Sequence, residues 1–150
     1  MDTLQIEKIL LQNKITRRFF IGCFAADKTP KEFRKYPSSM IVNLEKAEKS
    51  GSHWIAFFIL NPDKILIFDS LLLPDLPTLI KNFISKFSNQ IKNCYPVQNP
   101  LSSTCGQHCL SFIYFISLGY SYKKYLSLLS NYANPDEFVS CFIRKMIENK

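Results

Sequence analysis

The sequence lacks long hydrophobic runs, internal repeats and low-complexity tracts. No segment of its 150 residues approaches the roughly 18 uninterrupted apolar residues of a membrane span. The N-terminal stretch, MDTLQIEKILLQNK, mixes acids and lysines with its apolar positions and is therefore not typical of a signal peptide. Because 47% of the residues are hydrophobic, the chain can bury a core. We expect one domain over residues 1–150 and no membrane contact.

The cysteines form neither a CxxC pair nor a small disulfide framework. Five is an odd number, which indicates free thiols in a reducing, intracellular compartment, either cytosol or nucleus. A zinc site can be drawn from Cys94, Cys105, His108 and Cys109, but their spacing matches no structural zinc motif. We therefore expect no metal, and we expect Cys109 to be buried.

Acidic residues are scarce. Twelve Asp and Glu stand against nineteen Lys and Arg, so the net charge is +7. One interpretation is a solvated basic surface, and the other is sequence-independent contact with nucleic-acid phosphates. No nucleic-acid motif supports the second beyond charge. The basic residues considered are Lys14, Arg17, Arg18, Lys28, Lys31, Arg34, Lys35, Lys123, Lys124, Arg144 and Lys145.

Hydrophobic periodicity predicts an α+β domain with a small sheet between helices. The order is helix, strands, helix, strand and three helices. The last helix begins with Asn134 as N-cap and Pro135 at its first position. The predicted helices are 2–12, 76–91, Cys105–Leu118, 122–131 and 135 onward, and the extended segments are Arg18–Phe24, Met40–Leu44, His53–Leu60, Lys64–Ser70 and Tyr95–Gln98.

The stretch QNPLSSTCGQHC places a cysteine, Cys105, behind three residues that favour helix N-caps. In the first turn of a helix, backbone N–H groups and the helix dipole lower the pKa of a thiol. Gly106 would let a substrate approach the backbone closely. An isolated cysteine before an apolar run is ordinarily a buried structural thiol, so a nucleophile needs a base nearby. The sequence has only two histidines.

His53 and Asp69 stand at the ends of two neighbouring strands. A buried carboxylate such as Asp69 requires a partner, and His53 is the candidate. If the strands pair so that partner numbers sum to 124, Asp69 lies diagonally from His53 on one face, within reach of a long side chain. This register requires an odd-length loop at Asn61–Asp63 or a β-bulge, because a plain two-residue turn would put them on opposite faces.

Two further polar residues flank Cys105. Gln98 could donate its side-chain N–H to an oxyanion, with the Cys105 backbone N–H as second donor. His108 is an alternative base, but we expect no carboxylate to orient it and interpret it as a residue of the core edge or surface. Nucleophile, base, orienting carboxylate and oxyanion donor together indicate acyl transfer.

The combination of HW before an apolar strand, IFDS, and QNPLSSTCGQHC resembles the adenovirus endopeptidase (adenain) family of cysteine proteases. It resembles more distantly the SUMO and ubiquitin-like-specific proteases of the same clan. The resemblance covers about residues 18–118. It implies a small mixed β-sheet flanked by helices, with the nucleophile at the start of a central helix. It implies Cys105 as nucleophile, His53 as base, Asp69 as orienting residue and Gln98 as oxyanion donor.

The resemblance also implies a substrate and a setting. Trp54 matches an aromatic that narrows the substrate groove, which favours cleavage at Gly-containing sites. Capsid or core precursors of a DNA virus or virus-like element are the implied substrates, in a host nucleus or a virion. DNA or an activating peptide is left open as a cofactor. Alternatives are a deconjugating peptidase for ubiquitin-like modifiers and an inactive relative that binds peptide or DNA.

The sequence departs from the family pattern in two places. Relatives usually place a glycine soon after the acidic motif, whereas here FDS runs on as LLLP. The turn after Asp69 therefore has no glycine to form it. Cys94 does not stand where the cysteine that links the adenovirus enzyme to its activating peptide would fall.

Overall fold

The computed structural model describes residues 1–47 and 53–149. Five helices and five strands follow one another, with a short 3-10 turn, Thr16–Arg18, after the first helix. The helices are α1 (Thr3–Gln12), α2 (Thr78–Ile84), α3 (Cys105–Leu118), α4 (Tyr122–Ser130) and α5 (Pro135–Glu148), and the strands are β1 (Phe20–Phe24), β2 (Ser38–Asn43), β3 (Trp54–Asn61), β4 (Lys64–Phe68) and β5 (Asn89–Lys92).

The five strands form one mixed sheet in the order β1-β2-β3-β4-β5. The outer pairs, β1 with β2 and β4 with β5, are parallel, and the two inner pairs are antiparallel. This confirms the predicted α+β class with a small mixed sheet flanked by helices. No helix within the described ranges is long and apolar enough to cross a membrane.

Both faces of the sheet are covered. On one face, Ala56, Phe58 and Phe68 pack with α1, α3, α4 and α5. On the other face, the alternate strand residues, such as Ile55 and Phe57, pack with α2. Strands buried on both faces read as continuous apolar runs, as β3 and β4 do. The sheet is therefore a central layer, and α3 lies directly on it.

The register between β3 and β4 confirms the expectation on which the site depends. Four successive pairs, from Ala56↔Phe68 to Ile59↔Ile65, sum to 124. Asn61 pairs with Lys64 across a two-residue turn, and the register shift between Ile59 and Asn61 is a bulge. The extra residue of the bulge restores the alternation that a plain two-residue turn would have inverted.

The predicted helix over 76–91 is wrong in its second half. α2 ends at Ile84, and Asn89–Lys92 instead forms β5 beside β4. The Gln90 side chain donates to the Ile84 and Phe87 carbonyl oxygens at 3.0 and 3.1 Å, which satisfies acceptors beyond the helix end. The apolar series is continuous in sequence, but its members pack on opposite faces of the sheet. Phe83 packs on the face that α2 covers, and Ile91 packs on the face that α3 covers. The segment Tyr95–Gln98, predicted as extended, is not a strand.

The ends of the later helices agree with their sequence signals. Asn134 Oδ1 accepts the Glu137 N–H at 3.2 Å, and Pro135 occupies the first position of α5. Gly119 closes α3 with φ +111°, a conformation that glycine adopts without strain. α3 begins at Cys105, at the same end of the sheet as the start of β3 and the end of β4. Candidate residues from three separate elements therefore converge there.

Candidate active site

His53 and Asp69 form a buried pair. His53 Nε2 lies 2.7 Å from Asp69 Oδ1, and the two side chains are 7% and 0% exposed. Burial alone would lower the pKa of His53, but its hydrogen bonds to Asp69 and Cys105 raise it to about 9. Burial likewise opposes ionisation of Asp69, yet the bond from His53 keeps the pKa of this carboxyl below its ordinary value. These contacts favour the protonated form of His53.

Cys105 is the first residue of α3, and its thiol interacts with the His53 ring. Burial would raise the pKa of the Cys105 thiol. The hydrogen bonds to His53 and to the backbone N–H groups of Trp54 and Gly106 outweigh burial and lower it. Because Asp69 holds Nε2, the other ring nitrogen, Nδ1, is the one left for the sulfur. The arrangement favours a thiolate–imidazolium pair.

The Asp69 carboxylate also organises the turn that follows β4. Its Oδ1 accepts the Leu71 N–H at 3.1 Å and its Oδ2 accepts the Leu73 N–H at 2.9 Å. Leu72, between them, has φ +49°, in the left-handed region where a glycine is usual. The Asn93 side chain bonds both the N–H and the C=O of Asp69, at 3.1 and 2.8 Å. These bonds hold the turn without the family's glycine.

Gln98 is almost fully buried and is held by both ends of its amide. Its Oε1 accepts the Ser70 hydroxyl at 2.6 Å, and its Nε2 donates to the Ser102 carbonyl at 3.0 Å. The Ser70 carbonyl accepts the backbone N–H groups of Val97 and Gln98 at 2.9 and 3.0 Å. The amide therefore has one fixed orientation.

His108 has a carboxylate partner, so the expectation that none would orient it is wrong. Its Nε2 lies 2.8 Å from Asp136 Oδ1, and its side chain is fully buried rather than at the edge or surface. Burial lowers the pKa of His108 despite the Asp136 carboxylate. Asp136 also accepts the Thr104 hydroxyl at 2.6 Å and the Asn99 N–H at 2.9 Å. This second pair ties α5 to α3 and to the segment before Cys105.

Thr104 and Gly106 differ in detail from what the sequence predicts. Thr104 occupies the N-cap of α3 but makes no side-chain cap bond there, because its hydroxyl is turned to Asp136. The space above Gly106 is filled by the protein itself. A side chain at this position would meet Met1 Cβ at 3.4 Å and Ile6 Cδ1 at 3.6 Å. The glycine thus admits the N-terminal segment, and its role toward substrate stays a prediction.

Trp54 lies at the start of β3, between His53 and the sheet. Its half-buried ring packs against the core on the sheet face that α3 covers. The ring also lines a groove of about 170 Å³ together with Asn43 and Thr3. The residues that line this groove do not include His53, Asp69, Gln98 or Cys105, so the role of Trp54 toward substrate stays a prediction. Cys109, one turn after Cys105, is fully buried, and burial raises the pKa of its thiol. The described part of the chain contains no group of three or more His, Cys, Asp or Glu that could hold a metal.

Three supporting residues were missed at the level of sequence. Ser70 was read only as the end of a strand, although it directly follows Asp69 in the IFDS motif. Asp136 lies in the first turn of α5, where acidic residues are common in any helix, so its position alone did not indicate a partner. Asn93 follows a strand that was itself misassigned as helix, so no signal pointed to it. Each acts through a contact between residues more than 20 positions apart.

No family model and no curated protein matches the sequence. Among solved structures, the chain is similar to the ASFV pS273R protease, with 15% identity and a TM-score of 0.52. The alignment covers 85% of this chain and 61% of that one, so the chain spans about three fifths of that protease. The SUMO protease Ulp1, with its catalytic cysteine oxidised to a sulfenic acid, aligns over 67% of this chain and 50% of its own, with 19% identity and a TM-score of 0.35. The first of these likenesses shows that the chain shares the α+β fold of the ASFV pS273R protease.

Proposed function

We propose that the protein is a cysteine endopeptidase. The observation that carries the proposal is the His53 ring, which is held by Asp69 on one side and interacts with the Cys105 thiol on the other. The pKa of the thiol is lowered and that of the ring is raised to about 9, the directions that a thiolate nucleophile requires. The fold is one that supports cysteine peptidases, which agrees with this chemistry.

The mechanism follows from this geometry. The Cys105 thiolate attacks the carbonyl carbon of a peptide bond, and the oxyanion accepts bonds from the Gln98 side chain and the Cys105 backbone N–H. His53 gives its Nδ1 proton to the departing amine, which leaves an acyl thioester on Cys105. Water, activated by the now neutral His53, then hydrolyses the thioester. Asp69 keeps the ring oriented throughout by holding Nε2.

For the substrate, we propose Gly-containing sites in protein precursors. Trp54 follows His53 directly and matches the aromatic that, in the SUMO proteases, narrows the substrate groove, and a narrow groove favours a residue without a side chain before the cleaved bond. The fold's likeness to an ASFV protease supports a viral setting, with capsid or core precursors as substrates and a nucleus or virion as the location. The resemblance of the sequence motifs around His53, Asp69 and Cys105 to those of SUMO proteases keeps a deconjugating peptidase as the alternative. Cleavage of a Gly-Gly peptide, compared with that of an intact modifier conjugate, separates the two.

The deciding experiment uses a Gly-Gly peptide with a thiol-reactive warhead, followed by mass spectrometry. We expect selective labelling of Cys105 over Cys94, which is the exposed cysteine among the five. Cys105→Ala should abolish turnover and leave the thermal melt nearly unchanged, while Cys94→Ala, the matched control, should retain both labelling and turnover. Peptidase activity remaining in Cys105→Ala would refute the proposal.

We further propose that a basic surface contacts DNA without sequence preference. Lys35 Nζ donates to the Arg18 carbonyl at 2.6 Å, which brings the basic residues of two segments together. The basic surface consists of six exposed residues from these two segments, Lys14, Arg17, Arg18, Lys31, Arg34 and Lys35. None of them belongs to an ion pair within the described ranges. Such a surface would bind phosphates with a steep salt dependence.

Charge reversal tests the DNA contact. Arg17→Glu, Arg18→Glu and Lys35→Glu together should weaken binding of a fluorescent DNA duplex, whereas the same reversal at Lys123, Lys124 and Arg144 should have less effect. Both triple variants change the net charge equally, which makes them a matched pair. Equal losses would show that net charge alone acts. Peptidase rates with and without duplex then report whether DNA is an activator.

A further inference from the structure

The last two residues of IFDS hold two different groups of the candidate site. Asp69 binds the His53 ring, and the next residue, Ser70, binds the Gln98 amide. Asp69 directly follows β4, and Ser70 lies in the turn that is closed by the bond from the Leu72 N–H to the Asp69 carbonyl at 3.0 Å, so the chain direction changes between the two side chains. Ser70 is fully buried and Gln98 is 5% exposed, which shields their 2.6 Å bond from competition with water.

The orientation of the Gln98 amide follows from its two neighbours. The Ser102 carbonyl can only accept a hydrogen bond, so the NH2 end of the amide must face it. The oxygen end then faces Ser70, whose hydroxyl donates to it. An NH2 group has two N–H bonds, and Ser102 takes one of them. The second remains to donate to an oxyanion.

Without the Ser70 hydroxyl, the orientation of the Gln98 amide would depend on the single bond to the Ser102 carbonyl. The buried Oε1 would have no donor, and rotation of the amide would become less costly. The bond to Oε1 also polarises the amide and thereby strengthens its N–H groups as donors. The backbone alone cannot replace this effect, because the bonds from Val97 and Gln98 to the Ser70 carbonyl position the main chain only.

We propose that Ser70 is a positioning residue that sets the Gln98 amide as an oxyanion donor. The proposal rests on the proposed cysteine peptidase function. Ser70 does not touch the substrate and acts only through Gln98. It therefore affects the step in which negative charge develops on the carbonyl oxygen, and not the formation of the Cys105 thiolate.

A double-mutant cycle tests the coupling, with a fluorogenic peptide cleaved after Gly-Gly as substrate. Ser70→Ala should lower kcat about 10-fold with little change in KM, less than the 10²–10³-fold expected for loss of an oxyanion donor itself in Gln98→Ala. In the Gln98→Ala background, Ser70→Ala should cost nothing further. Ser70→Thr, which keeps the hydroxyl, should retain most of the rate. An undiminished 10-fold loss in the Gln98→Ala background, or no loss in Ser70→Ala, would overturn the proposal.

Alkylation of Cys105 by iodoacetamide controls for folding and for the thiolate. This reaction forms no oxyanion, so Ser70→Ala should alkylate at the unaltered rate while peptide cleavage falls. Active-site counts from the labelling correct kcat for any unfolded fraction, and Ser70→Thr supplies a second variant if Ser70→Ala folds poorly. A parallel fall in alkylation would overturn the proposal by placing the effect on the thiolate. Turnover that survives Cys105→Ala would instead remove the peptidase assignment itself.

Discussion

The described residues contain two histidine–aspartate pairs with nearly the same N–O distance, of which the first is buried and the second part-buried. His53 Nε2 lies 2.7 Å from Asp69 and His108 Nε2 lies 2.8 Å from Asp136. The pKa of His53 is raised to about 9, whereas burial lowers that of His108. The difference lies at the second ring nitrogen. His53 also interacts with the Cys105 thiol, while the buried His108 Nδ1 has no hydrogen-bond partner among the described residues.

A carboxylate beside a histidine does not by itself make a catalytic base. A second anionic partner compensates the cost of burying the charged ring, and without it the neutral ring is favoured. His108 then serves to connect α3 with α5. His53, in contrast, can carry the proton that acyl transfer needs.

The largest difference between the two pairs is expected when each histidine is replaced with glutamine. His53→Gln should lower kcat/KM by about 10³-fold or more, because both the proton donor and the thiolate partner are lost. The protein should still fold. His108→Gln should keep most of the activity but lower the free energy of unfolding by about 1–3 kcal/mol, since a buried partner of Asp136 is removed. Denaturant unfolding and peptide kinetics measure both, and an inactive but stable His108→Gln would contradict this division of roles.

Replacing the two carboxylates should also affect activity more at the His53 pair than at the His108 pair, but the difference should be smaller than for the histidines. Asp69→Asn should reduce kcat about 10- to 100-fold, because an amide stabilises the charged ring poorly and can misorient it. Asp136→Asn should change kcat only a few-fold and act mainly on stability. The rate of Cys105 alkylation at fixed pH reports the fraction of Cys105 that is present as thiolate. Equal kinetic losses in both variants would show that the Asp136 pair contributes to catalysis.

The pH dependence should separate the two rings. The pKa of His53 in the folded protein lies above its ordinary value of 6.5, so the stability it adds is complete below pH 6.5 and is lost as pH rises through about 9. Activity should fall over the same alkaline range as the imidazolium is lost. Histidine NMR signals should show His53 titrating near pH 9 and His108 remaining neutral near pH 7. Cys105→Ala should shift the His53 titration to lower pH.

The smallest expected effect is a change in the free energy of unfolding that comes from the backbone around each carboxylate. Asp136 lies in the first turn of a regular helix, whereas Asp69 anchors a turn in which Leu72 has φ +49°. Leu72→Gly should leave the free energy of unfolding within about 0.5 kcal/mol, because relief of left-handed strain offsets the extra freedom of glycine. The neighbouring Leu73→Gly should destabilise by about 1 kcal/mol. Equal losses in the two variants would show that Leu72 is not strained.

Much of the site was predictable because its signals are local. The acid at a strand end, the cap-like residues before Cys105 and the continuous apolar runs of β3 and β4 are properties of short segments. The β3–β4 register was predictable for the same reason, since the two strands are adjacent in sequence. The helix 76–91 was mispredicted because an apolar series cannot reveal that Phe83 and Ile91 serve opposite faces of the sheet.

The residue pattern predicted the α+β class, the condition on β3–β4 pairing that brings Asp69 near His53, and the candidate set His53, Asp69, Gln98 and Cys105. Tertiary structure decided which histidine carries charge, because a pKa depends on every partner around a ring and not on its neighbours along the chain. It also supplied Asp136 for His108, Asn93 for Asp69 and Ser70 for Gln98. Those bonds join distant segments, and only the packed sheet and helices bring them within hydrogen-bonding distance.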